Sequence, residues 1–171
     1  MISLKPLSRD DATDKYLGWV NDPEVTKYLN VGRFPVTKEK LIAYIDRMNE
    51  SKEHVIFAIY CQDKHIGNIT LNDIDWINRT ANVGIMIGEK GLWGGGYGTE
   101  AVKLIVDYAF NRLNLQKVWA GVHRVNTASW KMFGKAGFDT EAILKRELYL
   151  DGQYYDKYIM SILREPAWKG E

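Results

Sequence analysis

The spacing of hydrophobic positions changes repeatedly along the chain between the two-residue period of strands and the 3.6-residue period of helices. Residues 80–87 alternate apolar and polar side chains, which predicts a strand, whereas the apolar stripe after Thr37 predicts a helix. Strands are expected at residues 2–7, 54–60, 65–76, 80–87, 117–123, 138–150 and 154–163. Helices are expected to begin at Ser8, Asp22 and Thr37 and to cover residues 99–112 and 126–136. Strands and helices therefore mix throughout, and the fold class is predicted as α/β or α+β.

No repeat, low-complexity tract or linker separates these elements. The turn signals are short, as at Asp151-Gly152, which is expected to join the last two strands as a hairpin. The sequence therefore predicts one domain over residues 1–171.

The stretch 93–100, Trp-Gly-Gly-Gly-Tyr-Gly-Thr-Glu, places four glycines directly before a predicted amphipathic helix. Glycine allows several backbone N–H groups to converge on one point, and a helix start adds its own unpaired N–H groups, so this pattern is typical of phosphate sites. Thr99 is expected to cap the helix, and Leu104 and Tyr108 are expected on its core face, together with Ala101, Ile105 and Ala109. The loop lacks the Lys of a P-loop and the glycine spacing of a dinucleotide fingerprint, which makes simple nucleotide binding a weak alternative.

Gly96-Tyr97-Gly98 resembles the glycine end of the pyrophosphate loop of the GCN5-related N-acetyltransferase (GNAT) family, which has the form Gln/Arg-x-x-Gly-x-Gly/Ala. Trp93 stands where the general pattern has Gln or Arg, and a subgroup similar to the ribosomal-protein N-terminal acetyltransferases has a loop of this kind. A second segment, Asn126 to Ser129 followed by 133–138, resembles the family's Asn-x-x-Ser helix that ends in Lys-x-Gly-Phe. The two motifs and the element order extend the likeness over nearly the whole chain.

The resemblance implies a mixed, mostly antiparallel sheet with a V-shaped splay, flanked by four to five helices, and acetyl-CoA as co-substrate. Coenzyme A would enter between the strand before the glycine loop and the strand after its helix. A backbone N–H near Met86, Ile87 or Gly88 would polarise the thioester carbonyl, and Asn126 would touch the pantetheine arm. The residues expected to bind the cofactor are Met86, Ile87, Gly88, Trp93, Gly94, Gly95, Gly96, Tyr97, Gly98, Thr99, Asn126, Ser129 and Phe133.

Acetyl transfer to an amine requires a neutral amine, a donor to the thioester oxygen and a proton for the departing thiolate. Many family members protonate the thiolate with a Tyr at the position of Phe133, which has no hydroxyl. The resemblance implies that Ser129, one helical turn earlier, takes this catalytic role. Tyr97 and Tyr149 are other hydroxyl candidates, and a helical Ser bonded to the carbonyl four residues back is the structural alternative.

Relatives commonly have Glu where this chain has Asn82, so the general base must come from elsewhere. Candidates are Asp73, Asp75, Glu147 and Asp156. The aromatic residues expected near the acceptor amine are Trp19, Tyr28, Phe34 and Trp76.

The predicted function is transfer of an acetyl group from acetyl-CoA to a primary amine by direct attack in a ternary complex. The acceptor is expected to be a small molecule, such as an amino sugar or a polyamine, or a protein N-terminus. The alternative is a non-catalytic acyl-CoA binding or sensing domain, because Phe133 and Asn82 stand where catalytic Tyr and Glu often stand.

Composition limits the classes of binding partner that the chain is expected to have. The formal charge of +1, from 23 basic and 22 acidic residues, favours neither nucleic acid nor an anionic membrane surface, and no segment is long and apolar enough to span a bilayer. Cys61 is the single cysteine, which excludes an internal disulfide, and it is interpreted as a buried, inert thiol. The protein is expected to be cytoplasmic. A homodimer is a further expectation. His54, His65 and His123 lack metal-ligand spacing, so no metal is expected, and His123 is interpreted as a surface residue.

Overall fold

The computed structural model describes residues 2–164. Within this range the chain forms seven strands and four α-helices. The elements are β1 (Ile2–Pro6), α1 (Asp14–Asn21), α2 (Lys38–Glu50), β2 (Val55–Cys61), β3 (Lys64–Asp75), β4 (Thr80–Ile87), α3 (Tyr97–Asn111), β5 (Lys117–His123), α4 (Thr127–Lys135), β6 (Asp139–Leu150) and β7 (Gln153–Leu163). The predicted fold class is confirmed.

All strands belong to one sheet in the order β1-β2-β3-β4-β5-β7-β6, and β4 and β5 form its parallel pair. That pairing covers only residues 80–82 of β4 and 117–119 of β5. Beyond it, β5 pairs with β7 as far as His123, while β4 continues along β3 to Ile87. The two strands therefore diverge after Asn82, and the splay that the resemblance implied is present.

Asn82 lies at the point of divergence. Its side-chain amide Nδ2 donates a hydrogen bond of 3.3 Å to the carbonyl oxygen of Trp119 on β5. The residue that stands in place of the family's Glu thus joins the two strands where their backbone pairing ends.

Helices cover both faces of the sheet. Along β2 the side chains alternate, with Ile59 in the core beneath α3 and Ile56 and Ala58 in the core beneath α1 and α2. The α3 core residues are Ala101, Val102, Ile105, Val106 and Ala109. The C-terminal half of β4, which borders the splay, therefore lies between the layer of α1 and α2 and the layer of α3.

Three predictions about helices are wrong in detail. The helix expected from Asp22 is a series of turns: the Asp22 carboxylate accepts from the Glu24 N–H at 2.8 Å, as an N-cap does, and the Thr26 N–H donates to the Asp22 carbonyl at 3.0 Å, but the chain then continues in turns and bends. The capping box at Ser8 ends in a single 3₁₀ turn, and the α-helix begins after Thr13, whose hydroxyl accepts from the Tyr16 N–H at 3.3 Å.

The third correction concerns α3, which begins two residues earlier than expected. Gly96 is its N-cap, so Thr99 lies inside the first turn rather than capping it. Leu104, predicted on the core face, is 39% exposed, because Val102 and Val106 occupy that face. Cys61 is half-buried rather than buried and packs against the α3 core.

None of the described helices has both the length and the apolar character required to cross a bilayer.

We expect Gly67→Ala to destabilise the fold by at least about 2 kcal/mol, because a Cβ there would overlap the carbonyl oxygen of Met86 on the adjacent strand. Gly134→Ala is the matched control: no atom lies near its Cβ position in α4, and Ala should stabilise that helix by about 0.5–1 kcal/mol. Chemical denaturation of both variants measures the difference, and equal stabilities would contradict the packing described for Gly67.

Candidate active site

The chain leaves β4 through a 3₁₀ turn at Lys90–Leu92 and then forms the glycine loop, residues 93–98. Gly94 and Gly96 have φ angles of +78° and +86°, the left-handed conformation that glycine adopts without strain. The indole N–H of Trp93 donates to the Ile87 carbonyl oxygen at 2.8 Å, which ties the loop to the end of β4. Trp93, atypical for the general family motif, therefore positions the loop.

Backbone donors converge at the start of α3. The first bond closed by the helix runs from the Glu100 N–H to the Gly96 carbonyl at 3.1 Å. Among the described residues the N–H groups of Tyr97, Gly98 and Thr99 have no acceptor, and Gly94 to Gly96 are exposed. These donors, at the positive end of the helix dipole, fit the diphosphate of coenzyme A.

Helix α4 packs directly against the glycine loop. A Cβ on Gly98 would approach the Sδ atom of Met132 to 2.6 Å, so the missing side chain allows α3 and α4 to meet. Ser129 lies one turn before Met132 on the same helical face. The loop and the Asn-x-x-Ser motif, distant in sequence, are thus neighbours in the fold.

Asn126 and Ser129 form the cap of α4, and each side chain keeps one polar atom without a hydrogen-bond partner among the described residues. The Oδ1 atom of Asn126 accepts from the Ser129 N–H at 3.1 Å, so Asn126 is the N-cap of α4. Within the described residues, neither the Asn126 amide nitrogen nor the Ser129 hydroxyl has a hydrogen-bond partner, and both residues are half-buried. Ser129 therefore does not make the expected alternative bond to the carbonyl four residues back.

Phe133 belongs to the core. It is 3% exposed, and its ring centroid lies 5.1 Å from that of Phe138. A direct contact with the cofactor stays a prediction for this residue, whose visible role is packing.

The end of β4 provides the backbone groups near which the thioester is expected. The Gly88 N–H already donates to the Ile66 carbonyl at 2.9 Å, and the Trp19 indole ring fills the space where a Gly88 side chain would lie. The antiparallel register alternates, so the Met86 N–H likewise faces Asn68 on β3, and of the three residues considered for polarising the thioester only Ile87 has its N–H directed away from β3.

A cavity of about 490 Å³ lies against β4 between the sheet, α1 and α2, and the segment 29–36. Its lining residues are Tyr16, Val20, Leu29, Asn30, Val31, Val36, Lys40, Leu41, Tyr44, Ile56, Asn68, Thr70, Asn72, Gly84, Ile85 and Met86. A concave, largely apolar cavity of this size is typical of small-molecule sites. It adjoins the same strand end to which the glycine loop is attached.

Different aromatic residues line this cavity from those predicted. Trp19 is buried below it, Phe34 is 79% exposed, and the Trp76 indole N–H donates to the Lys52 carbonyl at 2.9 Å. Tyr28, the fourth, contacts His123. The tyrosines that do line it, Tyr16 and Tyr44, lie on α1 and α2, and burial raises the pKa of both phenols, so they remain protonated donors.

The predicted general bases are not brought to the cavity. Hydrogen bonds from Asn78 lower the pKa of Asp75, and those from the Arg146 N–H and Arg124 lower the pKa of Asp156. Asp73 and Glu147 are exposed, and none of the four lines the cavity among the residues described.

His123, interpreted from sequence as a surface residue, is only 8% exposed. Its ring lies between those of Tyr28 and Tyr155, each at 5.3 Å, and in residues 2–164 neither ring nitrogen has a hydrogen-bond partner. Burial lowers the pKa of the imidazole. Because β7 supplies Tyr155 and the turns after α1 supply Tyr28, no local signal indicated this burial.

No cluster of three or more potential metal-ligating side chains occurs in the part of the chain that the structure describes.

Comparisons with known proteins agree with this arrangement. The profile of the acetyltransferase (GNAT) domain matches residues 2–139. An uncharacterised N-acetyltransferase, p20, of Bacillus licheniformis is 32% identical over 95% of this chain and 93% of its own length. Spermidine N(1)-acetyltransferase of Escherichia coli K12 is 29% identical over 95% of this chain and 86% of its own.

Among solved structures, spermidine N-acetyltransferase from Vibrio cholerae in complex with CoA and spermine superposes with a TM-score of 0.86. It is 24% identical, and 95% of each chain is covered. This similarity supports the fold.

The splayed sheet with a glycine loop at a helix start defines an acyl-CoA-dependent transferase. The chain belongs to the acetyltransferase (GNAT) family. Its co-substrate is acetyl-CoA, as predicted. The narrower likeness to the ribosomal-protein enzymes stays a prediction, since the relatives that cover most of the chain include the spermidine enzyme.

Replacing Gly96 by Val should weaken acetyl-CoA binding by about tenfold or more, because a β-branched residue in the left-handed conformation carries about 1–3 kcal/mol of strain. Gly91→Val is the control, since Gly91 has open space around its Cβ position and no positive φ. Calorimetric titration of both variants measures the effect, and unchanged affinity in Gly96→Val would show that the loop conformation does not matter.

His123 should make the folded protein sensitive to acid. Its pKa in the folded state lies below the value of about 6.5 in the unfolded chain, so the unfolded state binds more protons as pH falls through that value. Stability should therefore be unaffected by this group above about pH 6.5 and decline below it. Denaturation at pH 7.5 and 5.5 should show a smaller decline for His123→Gln than for the wild type or for His54→Gln.

Proposed function

We propose that this protein acetylates the primary amine of a small molecule held in the cavity beside β4, by direct attack of the amine on acetyl-CoA in a ternary complex. The observation that carries the proposal is that one strand end serves both sites. Gly84 to Met86 line the cavity, and Ile87 anchors the glycine loop through Trp93. An amine in the cavity and a thioester reaching past the loop would thus meet at the splay.

The cofactor residues divide by role. The N–H groups of Tyr97, Gly98 and Thr99 would bind the diphosphate, and the free amide nitrogen of Asn126 would donate to the pantetheine arm. The bound cofactor supplies the activated acetyl group. The N–H of Ile87, which faces away from β3, would hold the carbonyl oxygen, which develops negative charge as the amine attacks.

Ser129 would then relay a proton: its hydroxyl would give its proton to the sulfur as the C–S bond breaks and would regain one, directly or through water, from the ammonium that the attacking amine has become. Its hydroxyl is unpaired in the described structure and lies on the same side of α4 as Met132, the residue that approaches Gly98 in the first turn of α3. Tyr149, one of the other hydroxyl candidates, is 59% exposed on β6 and stacks edgewise against Tyr154, which supports Ser129 over it.

Two features support a small acceptor over a protein N-terminus. The cavity volume suits a small molecule, and the spermidine acetyltransferase relative acts on one. The sensing alternative loses its support from Asn82 and Phe133, because both have structural roles here: Asn82 joins β4 to β5, and Phe133 fills the core.

The test measures acetyl-CoA binding by calorimetry, with ATP and NAD as controls, and thiol release with primary amines that include spermidine, glucosamine and 6-aminohexanoate. Ser129→Ala should lower kcat by about 10- to 100-fold with acetyl-CoA affinity little changed, because the hydroxyl acts on the leaving sulfur. Thr127→Ala, an exposed position on the same helix, is the control.

Unchanged kcat in Ser129→Ala would remove Ser129 from the mechanism. Acetyl-CoA binding without thiol release from any amine would support the sensing alternative instead.

A further inference from the structure

The cavity beside β4 has an uneven charge distribution. Lys40 is the one charged side chain that lines it among the described residues, and neither Asp nor Glu contributes to its wall. The remaining polar groups are amides and hydroxyls, including Asn68, Tyr16 and Tyr44. A cavity for a polycation would be expected to offer carboxylates, since a buried charge requires an opposite partner.

One donor in the wall lacks an acceptor. Asn68 is only 6% exposed, and its Oδ1 atom lies 2.9 Å from His65 Nε2, whereas its Nδ2 atom has no partner in the described residues. A buried N–H group without an acceptor is costly, and a ligand oxygen in the cavity would satisfy it.

Lys40 is likewise free of a counter-charge. Its Nζ atom makes a long contact of 3.4 Å with the Pro35 carbonyl and forms no ion pair within residues 2–164. Lys38, two residues earlier on the same helix, pairs instead with Asp14 at 3.8 Å and does not line the cavity. The cavity therefore combines a cation with hydrogen-bond donors around an apolar wall.

We propose, on the basis of the function proposed above, that the acceptor is a primary amine whose apolar body ends in a carboxylate, rather than a polyamine. The carboxylate would accept from Lys40 and from the Tyr44 hydroxyl, one turn further along α2, whereas Asn68, opposite Met86 on the adjacent strand, lies at the amine end of the cavity. The amine would point to the Gly84–Met86 edge of β4. A second ammonium group in this cavity would meet the like charge of Lys40 and neutral amide and hydroxyl oxygens, with no carboxylate from the described residues to offset its lost hydration.

Three acceptors of equal chain length test the proposal: 6-aminohexanoate, hexylamine and hexane-1,6-diamine, which end in an anion, a methyl group and a cation. We expect kcat/KM for 6-aminohexanoate to exceed that for the diamine by at least about tenfold, with hexylamine between them. Spermidine is measured beside them and should resemble the diamine.

Lys40→Glu should reduce the ratio of kcat/KM between 6-aminohexanoate and hexylamine by about tenfold, because it places a carboxylate opposite the ligand's own. Lys38→Glu, the same charge change on the same helix outside the cavity, should alter that ratio by less than about twofold. Both lysines are exposed, so neither variant is expected to disturb folding.

The proposal is overturned if the diamine or spermidine is acetylated as well as 6-aminohexanoate, if 6-aminohexanoate is not acetylated, or if Lys38→Glu and Lys40→Glu change the ratio equally. If the protein does not acetylate amines at all, because it does not bind acetyl-CoA, the calorimetric titration with acetyl-CoA shows this separately. In that case direct calorimetric titration of 6-aminohexanoate against the diamine compares the ligands of the cavity: tighter binding of the carboxylate supports the proposal, and equal or weaker binding overturns it.

Discussion

The brief parallel pairing of β4 and β5 is the constraint on which the site depends. Backbone pairing holds the strands together only to Asn82 and Trp119, where the Asn82 amide adds one side-chain bond. After this point β5 satisfies its backbone groups with β7, and β4 does so with β3. Each strand therefore keeps one partner, while the N–H and C=O groups on the edges that face each other are left unpaired and available to a ligand in the splay.

Close backbone approach sets the remaining geometry. Gly67 allows β3 to lie against Met86, Gly98 allows α3 to meet α4, and Gly96 provides the left-handed residue from which α3 starts. In each case a missing Cβ does what no side chain could do. The groups that would bind the diphosphate are therefore largely backbone N–H groups. Trp93 can stand in the pyrophosphate loop because its side chain only holds the loop in place, through its bond to the Ile87 carbonyl.

The two layers of helices separate two chemical tasks. The layer containing α3 and α4 surrounds the expected path of the cofactor, and the layer containing α1 and α2 encloses the cavity. On the function proposed above, variation of α1, α2 and the segment 29–36 would change the acceptor and leave the cofactor site intact.

The sequence by itself determined the features that depend on neighbouring residues: the seven strands in their order along the chain, the glycine loop before α3 and the helix after Asn126. Only the tertiary structure decided the rest. Asp22-Pro23-Glu24 has the local signal of a helix start and makes the cap bond, yet only one turn follows, and the Asp22 carboxylate pairs with Lys90 from the turn after β4. Burial of His123 needs rings from distant segments, and the cavity needs Tyr16, Tyr44 and Asn68 from three separate elements. Local patterns report hydrogen bonds and periodicity within a few residues, whereas a cavity wall and its charge arise from packing between elements far apart in the chain.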